Sequence, residues 1–161
     1  MNKKIVIIST ITLVIDQILK SIIELSNAHV NVLFDIIRLN YYENTGAAFS
    51  ILQGKVPYLI LISIIMLVII YSMTFSYKET KITNISFGLL IGGVFGNLVD
   101  RVFYGFVRDF MDIKLFGYNF PVFNIADVAI VVGVGILLLV TLKGDSKNDN
   151  KSGGRNKLKN R

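Results

Sequence analysis

The chain contains no cysteine, so disulfides, thiolate nucleophiles and cysteine metal sites are all excluded. Its one histidine, His29, argues against a zinc hydrolase or a Ser-His-Asp triad. Charge is scarce too. Only 17% of the 161 residues are charged while 53% are hydrophobic, and the mean hydropathy is +0.60. A soluble domain of this length needs a polar surface, and this composition leaves little to build one from. The solvent it implies is a bilayer. The formal charge of +6 resembles a nucleic-acid signal only until it is located. Much of it lies in 143–161, where Lys and Arg are spread among Asn, Ser, Gly and Asp. That composition predicts a disordered basic tail beside anionic lipid, with no nucleic-acid partner.

What the chain has in quantity is long apolar runs. A helix crossing the hydrocarbon needs about 20 apolar residues, with a range of roughly 17–25. Four stretches answer to this, 5–23, 56–77, 82–99 and 125–142. The first follows Lys3 and Lys4 and mimics a signal peptide, but Asp16 and Lys20 within it, and no evident small-residue cleavage site, point to a retained anchor. Residues 1–142 are expected to form one membrane-embedded domain.

With four spans, both termini share a side. Lys3, Lys4, the short turn with Lys78 and Lys81, and the basic tail all fall there. The longer connections, 24–55 and 100–124, carry only Arg38, Lys55, Arg101, Arg108 and Lys114. By the positive-inside rule the termini are cytoplasmic and the longer connections face outward. In the first of these, V-N-V-L-F-D-I-I-R-L-N-Y-Y (30–42) is rich in β-branched and aromatic residues and predicts strand. The expected architecture is an all-α integral membrane fold of four transmembrane helices, with a small extracytoplasmic β-sheet and loop.

Ionisable groups in or beside a span are costly and call for an explanation. Asp109 follows the third span in V-R-D-F-M-D, and Asp127 opens the fourth in F-N-I-A-D. The topology puts both carboxylates at the outer interface. Two carboxylates close together in a medium of low dielectric cannot both ionise easily, so they titrate as a unit with one proton retained. Peptide hydrolysis uses such a pair: one member takes a proton from water, and the other donates to the carbonyl oxygen. The plainer alternative pairs each with Arg101 or Arg108, and Asp112 is assigned to that class, in water.

Around them, G-G-V-F-G-N-L-V-D-R (92–101) puts small residues where helices approach closely. If the helix continues, Asn97 shares a face with Asp100 and Arg101. Asn97 and Arg101 then either orient a carboxylate or substrate backbone, or Asp100 and Arg101 merely cap the bundle. Asn124 is placed to cap the fourth span and shares the face of Asp127. In D-Q-I-L-K, Asp16 and Lys20 stand one turn apart, either as a self-neutralising pair or with Lys20 reaching outward. N-T-G-A-A-F (44–49) is either a simple hairpin or a surface that holds an extended peptide.

In this order, D-Q-I-L-K, N-T-G-A-A-F, G-G-V-F-G-N-L-V-D-R, V-R-D-F and F-N-I-A-D resemble lipoprotein signal peptidase, or signal peptidase II, from the first span through the fourth. The resemblance implies an aspartic endopeptidase of the cytoplasmic membrane, acting at its outer face. Its substrates would be diacylglyceryl-modified prolipoproteins held among membrane lipid, cut just before the lipidated cysteine. The family's catalytic aspartates map onto Asp109 and Asp127. Its supporting or substrate-binding residues map onto Asp16, Lys20, Asn44, Asn97, Arg101 and Asn124, with Gly46 in the same group. No metal, cofactor or obligate protein partner is expected. One departure is Arg108, where an apolar residue is more usual; a cation there is expected to lower the pKa of Asp109. The rival readings are a small ion or solute transporter using Asp16, Lys20 and Asp127 as an intramembrane relay, and a membrane scaffold without catalysis.

Overall fold

The computed structural model of the chain describes residues 2–26, 30–33, 36–47 and 51–144. Phe34 and Asp35 of the expected strand segment, Ala48 and Phe49 of N-T-G-A-A-F, His29, and 145–161 of the basic tail lie outside the described residues.

The apolar runs form four helices, α1 (Lys3–Ser26), α2 (Val56–Met73), α3 (Lys81–Phe103) and α4 (Ile125–Leu142), each long and apolar enough to cross a membrane. α2 stops at Met73 rather than at 77, because the chain tightens there: the Thr74 amide donates to the Tyr71 carbonyl and that of Phe75 to Ser72. α3 starts on a Thr80–Thr83 capping box and runs past 99 to Phe103, so Asn97, Asp100 and Arg101 all sit on helix.

The connections supply strands β1 (Val30–Leu33), β2 (Ile37–Asn44), β3 (Val107–Leu115) and β4 (Tyr118–Asn119), one antiparallel sheet in the order β1-β2-β3-β4. The fold is therefore not all-α. The expected strand at 30–42 corresponds to β1 and β2, whereas β3, which carries Asp109, was not anticipated. β2 and β3 tie the two connections together at one end of the bundle, with Tyr42 opposite Asp109 and Asn44 opposite Val107.

α3 is the central helix, with 67% of its most apolar window buried against 17–28% in the other three. The large apolar side chains left exposed on α1, α2 and α4 suit a hydrocarbon solvent. Glycines set how closely the helices approach. A methyl group on Gly92 would stand 2.6 Å from the Ser9 carbonyl oxygen of α1, and one on Gly93 would stand 2.5 Å from the Ala126 carbonyl oxygen of α4. Ser86 donates to the Gly133 carbonyl at 2.7 Å, a further α3–α4 tie. Ile5, Ile70, Phe87, Leu90, Ile91, Val94 and Leu137 form the apolar core. Toward the sheet, the interior of the bundle becomes polar.

Gly92→Ala should separate α1 from α3 and lower stability by roughly 1–3 kcal/mol, the usual cost of overpacking. Gly135→Ala meets nothing within 4 Å and should be neutral or slightly stabilising. Thermal unfolding of both in detergent checks the contrast, and equal midpoints would contradict the close approach.

Candidate active site

The bundle's polar end is organised by side-chain amides. Asp109 lies on β3 and is 2% exposed, and Asp127 lies in the first turn of α4. Both line one cavity of about 250 Å³, together with Asn44, Asn97, Arg101 and Val107. Among the described residues neither carboxylate has an ion-pair partner within 4 Å; each is held by neutral donors.

Asn124 joins them. Its Nδ2 donates to Asp109 Oδ1 at 2.7 Å and to Asn97 Oδ1 at 3.1 Å. Its Oδ1 accepts from the Asp127 amide at 3.0 Å, and Asp127 Oδ2 accepts from the Asn124 amide at 3.2 Å. The reciprocal pair is a capping box, so F-N-I-A-D starts a helix and aims a carboxylate with the same atoms. Asn97 Nδ2 donates to Asp127 Oδ1 at 2.7 Å, while Lys20 Nζ donates to Asn97 Oδ1 at 3.1 Å. Asn44 Nδ2 donates to Asp109 Oδ2 at 2.8 Å. Burial pushes the Asp109 carboxyl up to about 6; the bonds from Asn44 and Asn124 pull it down, and the charge of Asp127 adds to the rise.

Charged groups collect behind this layer. Asp16, Lys20 and Asp100 are all 0% exposed. Lys20 Nζ lies 2.8 Å from Asp16 and 3.1 Å from Asp100, so it is buried between two acids and does not reach outward. Asp16 Oδ1 also accepts from the Ala126 amide at 2.9 Å, satisfying a free N–H at the start of α4. Arg101 does not pair with Asp100; its Nη2 donates to the Gly46 carbonyl at 3.1 Å. The Gly46 amide in turn donates to Asn44 Oδ1 at 2.9 Å. The turn at 44–47 is thus closed on itself, and Gly46 holds Asn44 and Arg101 in place with its own backbone.

Two expectations fail for reasons of strand geometry. Successive residues of a strand face opposite ways, so Arg108 points away from Asp109 and bonds Asp100 and Glu24. It is not among the largest influences on the Asp109 carboxyl. Asp112 is 5% exposed and not in water; it pairs with Arg38 across β2 and β3 at 2.8 Å. Gln17 went unremarked. Its Nε2 donates to the Gly96 carbonyl at 3.1 Å and to Asp100 at 3.0 Å, and a polar side chain inside an apolar span was the available signal.

Residues 8–143 match the family model for signal peptidase (SPase) II. A protein of Halalkalibacterium halodurans named lipoprotein signal peptidase is 40% identical over 119 residues, which is 73% of this chain and 76% of that one. One of the same name from Caldicellulosiruptor bescii is 42% identical over 134 residues, 82% and 86% of the two chains. A solved bacterial membrane enzyme is similar in fold, with a TM-score of 0.78 and 32% identity over 86% of this chain and 87% of that one. The chain belongs to the signal peptidase II family. The transporter reading finds no support in these relatives.

An ordinary carboxyl titrates at 3.8 and the folded Asp109 at about 6, so the folded chain binds the extra proton in that interval and loses stability as pH rises through it. At about 1.36 kcal/mol per pH unit, the loss is roughly 3 kcal/mol. Asp109→Asn should therefore raise the thermal midpoint in detergent at pH 7 and leave it near the parent's at pH 4. A lower midpoint at pH 7 would remove the case for a destabilising buried charge.

Proposed function

We propose that Asp109 and Asp127 are the catalytic pair of an aspartic endopeptidase that removes the signal peptide from diacylglyceryl-modified prolipoproteins, cutting just before the lipidated cysteine. The observation that carries this reading is that both carboxylates line one cavity, joined through Asn124 and free of cations within ion-pair distance among the described residues. A carboxylate neutralised by Arg or Lys is a poor base. One held by amide donors keeps more of its affinity for a proton than an ion-paired one, and burial raises that affinity.

In the reaction, water is bound between the carboxylates and the scissile carbonyl. The ionised member takes a proton from the water as its oxygen attacks the carbonyl carbon. The protonated member donates to the carbonyl oxygen, and a proton then passes to the departing amine. Asn97, Asn124 and Asn44 orient the carboxyl groups. Arg101 lines the same cavity and holds the turn through Gly46. Asp16 and Lys20 support the start of α4 from behind.

Ile130 lines both the catalytic cavity and a nearly wholly apolar groove of about 330 Å³ between α2, α3 and α4, which suits a substrate whose flanking parts are apolar or lipidated. On the charge distribution of the connections, the termini are cytoplasmic and the catalytic pair lies toward the outer face of the cytoplasmic membrane. Residues 1–142 make up the peptidase unit and 143–161 a basic tail at the lipid surface. The reading invokes no cofactor and no obligate protein partner.

The test is cleavage of a synthetic diacylglyceryl-modified precursor peptide by purified protein. Asp109→Asn and Asp127→Asn should each lower kcat by on the order of 10²–10⁴ or more while leaving the thermal midpoint at or above the parent's. Near-parental turnover by both variants would exclude the pair. The same peptide without its lipid should be cut far more slowly, and equal rates would remove the lipid from the specificity.

A further inference from the structure

β3 carries consecutive charges to opposite faces. Asp109 turns into the catalytic cavity, while Arg108, also 2% exposed, turns toward α1 and α3. Its guanidinium is closely engaged there. Nη1 donates to Glu24 at 2.9 Å and to Ser21 at 3.3 Å, and Nη2 to Gln17 at 2.8 Å and to Asp100 at 2.9 Å. The carbon at its centre stands 4.4 Å from the centroid of the Tyr104 ring. Only Nε lacks an acceptor among the described residues.

Charge explains why a cation belongs at this point. Asp16, Lys20 and Asp100 are fully buried, and together they leave one negative charge unbalanced. Arg108 balances it, and the partly exposed Glu24 closes the cluster at its rim. Asp100 also accepts from the Arg108 backbone amide at 3.0 Å, so one carboxylate grips both the main chain and the side chain of the residue before Asp109.

We propose that Arg108 is a positioning residue for Asp109: by completing the buried charge cluster it clamps β3 to α1 and α3, so that the next carboxyl meets Asn44 and Asn124. This rests on the reading of Asp109 as catalytic. Arg108 itself touches neither the pair nor the cavity, so its effect is on the geometry of a neighbour. A small displacement of a reacting group costs on the order of 10²-fold in rate.

The experiment compares Arg108→Gln, Arg108→Lys, Arg38→Gln and Asp109→Asn in the precursor-cleavage assay, with kcat and KM read separately and the folded fraction measured at the assay temperature. Arg108→Gln should lower kcat per folded molecule about ten- to a hundredfold, with KM within about threefold of the parent's. Arg108→Lys should lie between, because one ammonium can meet Asp100 but cannot also span Glu24 and Gln17. Arg38→Gln removes the other Arg–Asp pair on β3 and should change stability without changing kcat. Parental kcat in Arg108→Gln, or a loss that follows only the unfolded fraction or only KM, overturns the proposal. Should Arg108→Gln fail to fold, Arg108→Lys is judged by the same criteria. An active Asp109→Asn would instead defeat the catalytic assignment beneath it.

Discussion

One carboxamide holds the site together. Asn124 donates to Asp109, accepts from the backbone amide of Asp127, and donates to Asn97, which donates in turn to Asp127. An amide can fix a carboxylate's position without cancelling its charge, which no Lys or Arg can do. In a medium of low dielectric that distinction matters more than in water, because an ion pair would lock each acid in its ionised form. The neutral frame lets both acids line one cavity while neither is held in an ion pair among the described residues.

Such a frame needs firm backing, and the backing is ionic. Asp16, Lys20, Asp100 and Arg108 form a cluster in which buried charges of each sign balance. Removing a single partner from such a cluster leaves a charge stranded, which is the costly case for buried ions. Its position depends on close helix packing. On Gly96 an added methyl would stand 2.6 Å from Asp16 Oδ2, so the carboxylate occupies the space a side chain would fill. The small residues of G-G-V-F-G-N thus bring the helices together and also leave room for a charge between them.

Much of this was legible in the residues. The apolar runs gave the helices to within a few positions, because a span's length is fixed by the hydrocarbon and its composition is unmistakable. The capping role of Asn124 and the shared face of Asn97, Asp100 and Arg101 follow from helical spacing. What could not be read was β3. A strand exposed on one face announces itself by alternation, but Val107, Arg108, Asp109 and Phe110 are all buried, since both faces of this stretch are covered. With the strand unrecognised, Asp109 was placed only as following the third span, and Arg108 looked like its electrostatic neighbour. Partners of Asp100 were likewise hidden. Lys20 lies far away in sequence, and Arg108 reaches it only after the chain has turned back.

The alternation of β3 ties the two layers to each other. Slipping its register by one residue would exchange the faces of Arg108 and Asp109. A guanidinium would then enter the cavity beside Asp127 and neutralise it. Asp109 would join Asp16 and Asp100 against Lys20 alone, three buried acids to one cation. Both faces reject the slip electrostatically, in the absence of the hydrophobic alternation that usually sets register. The pairing of Tyr42 with Asp109 and of Asn44 with Val107 is therefore favoured by charge, through the same one-residue step that separates Arg108 from Asp109.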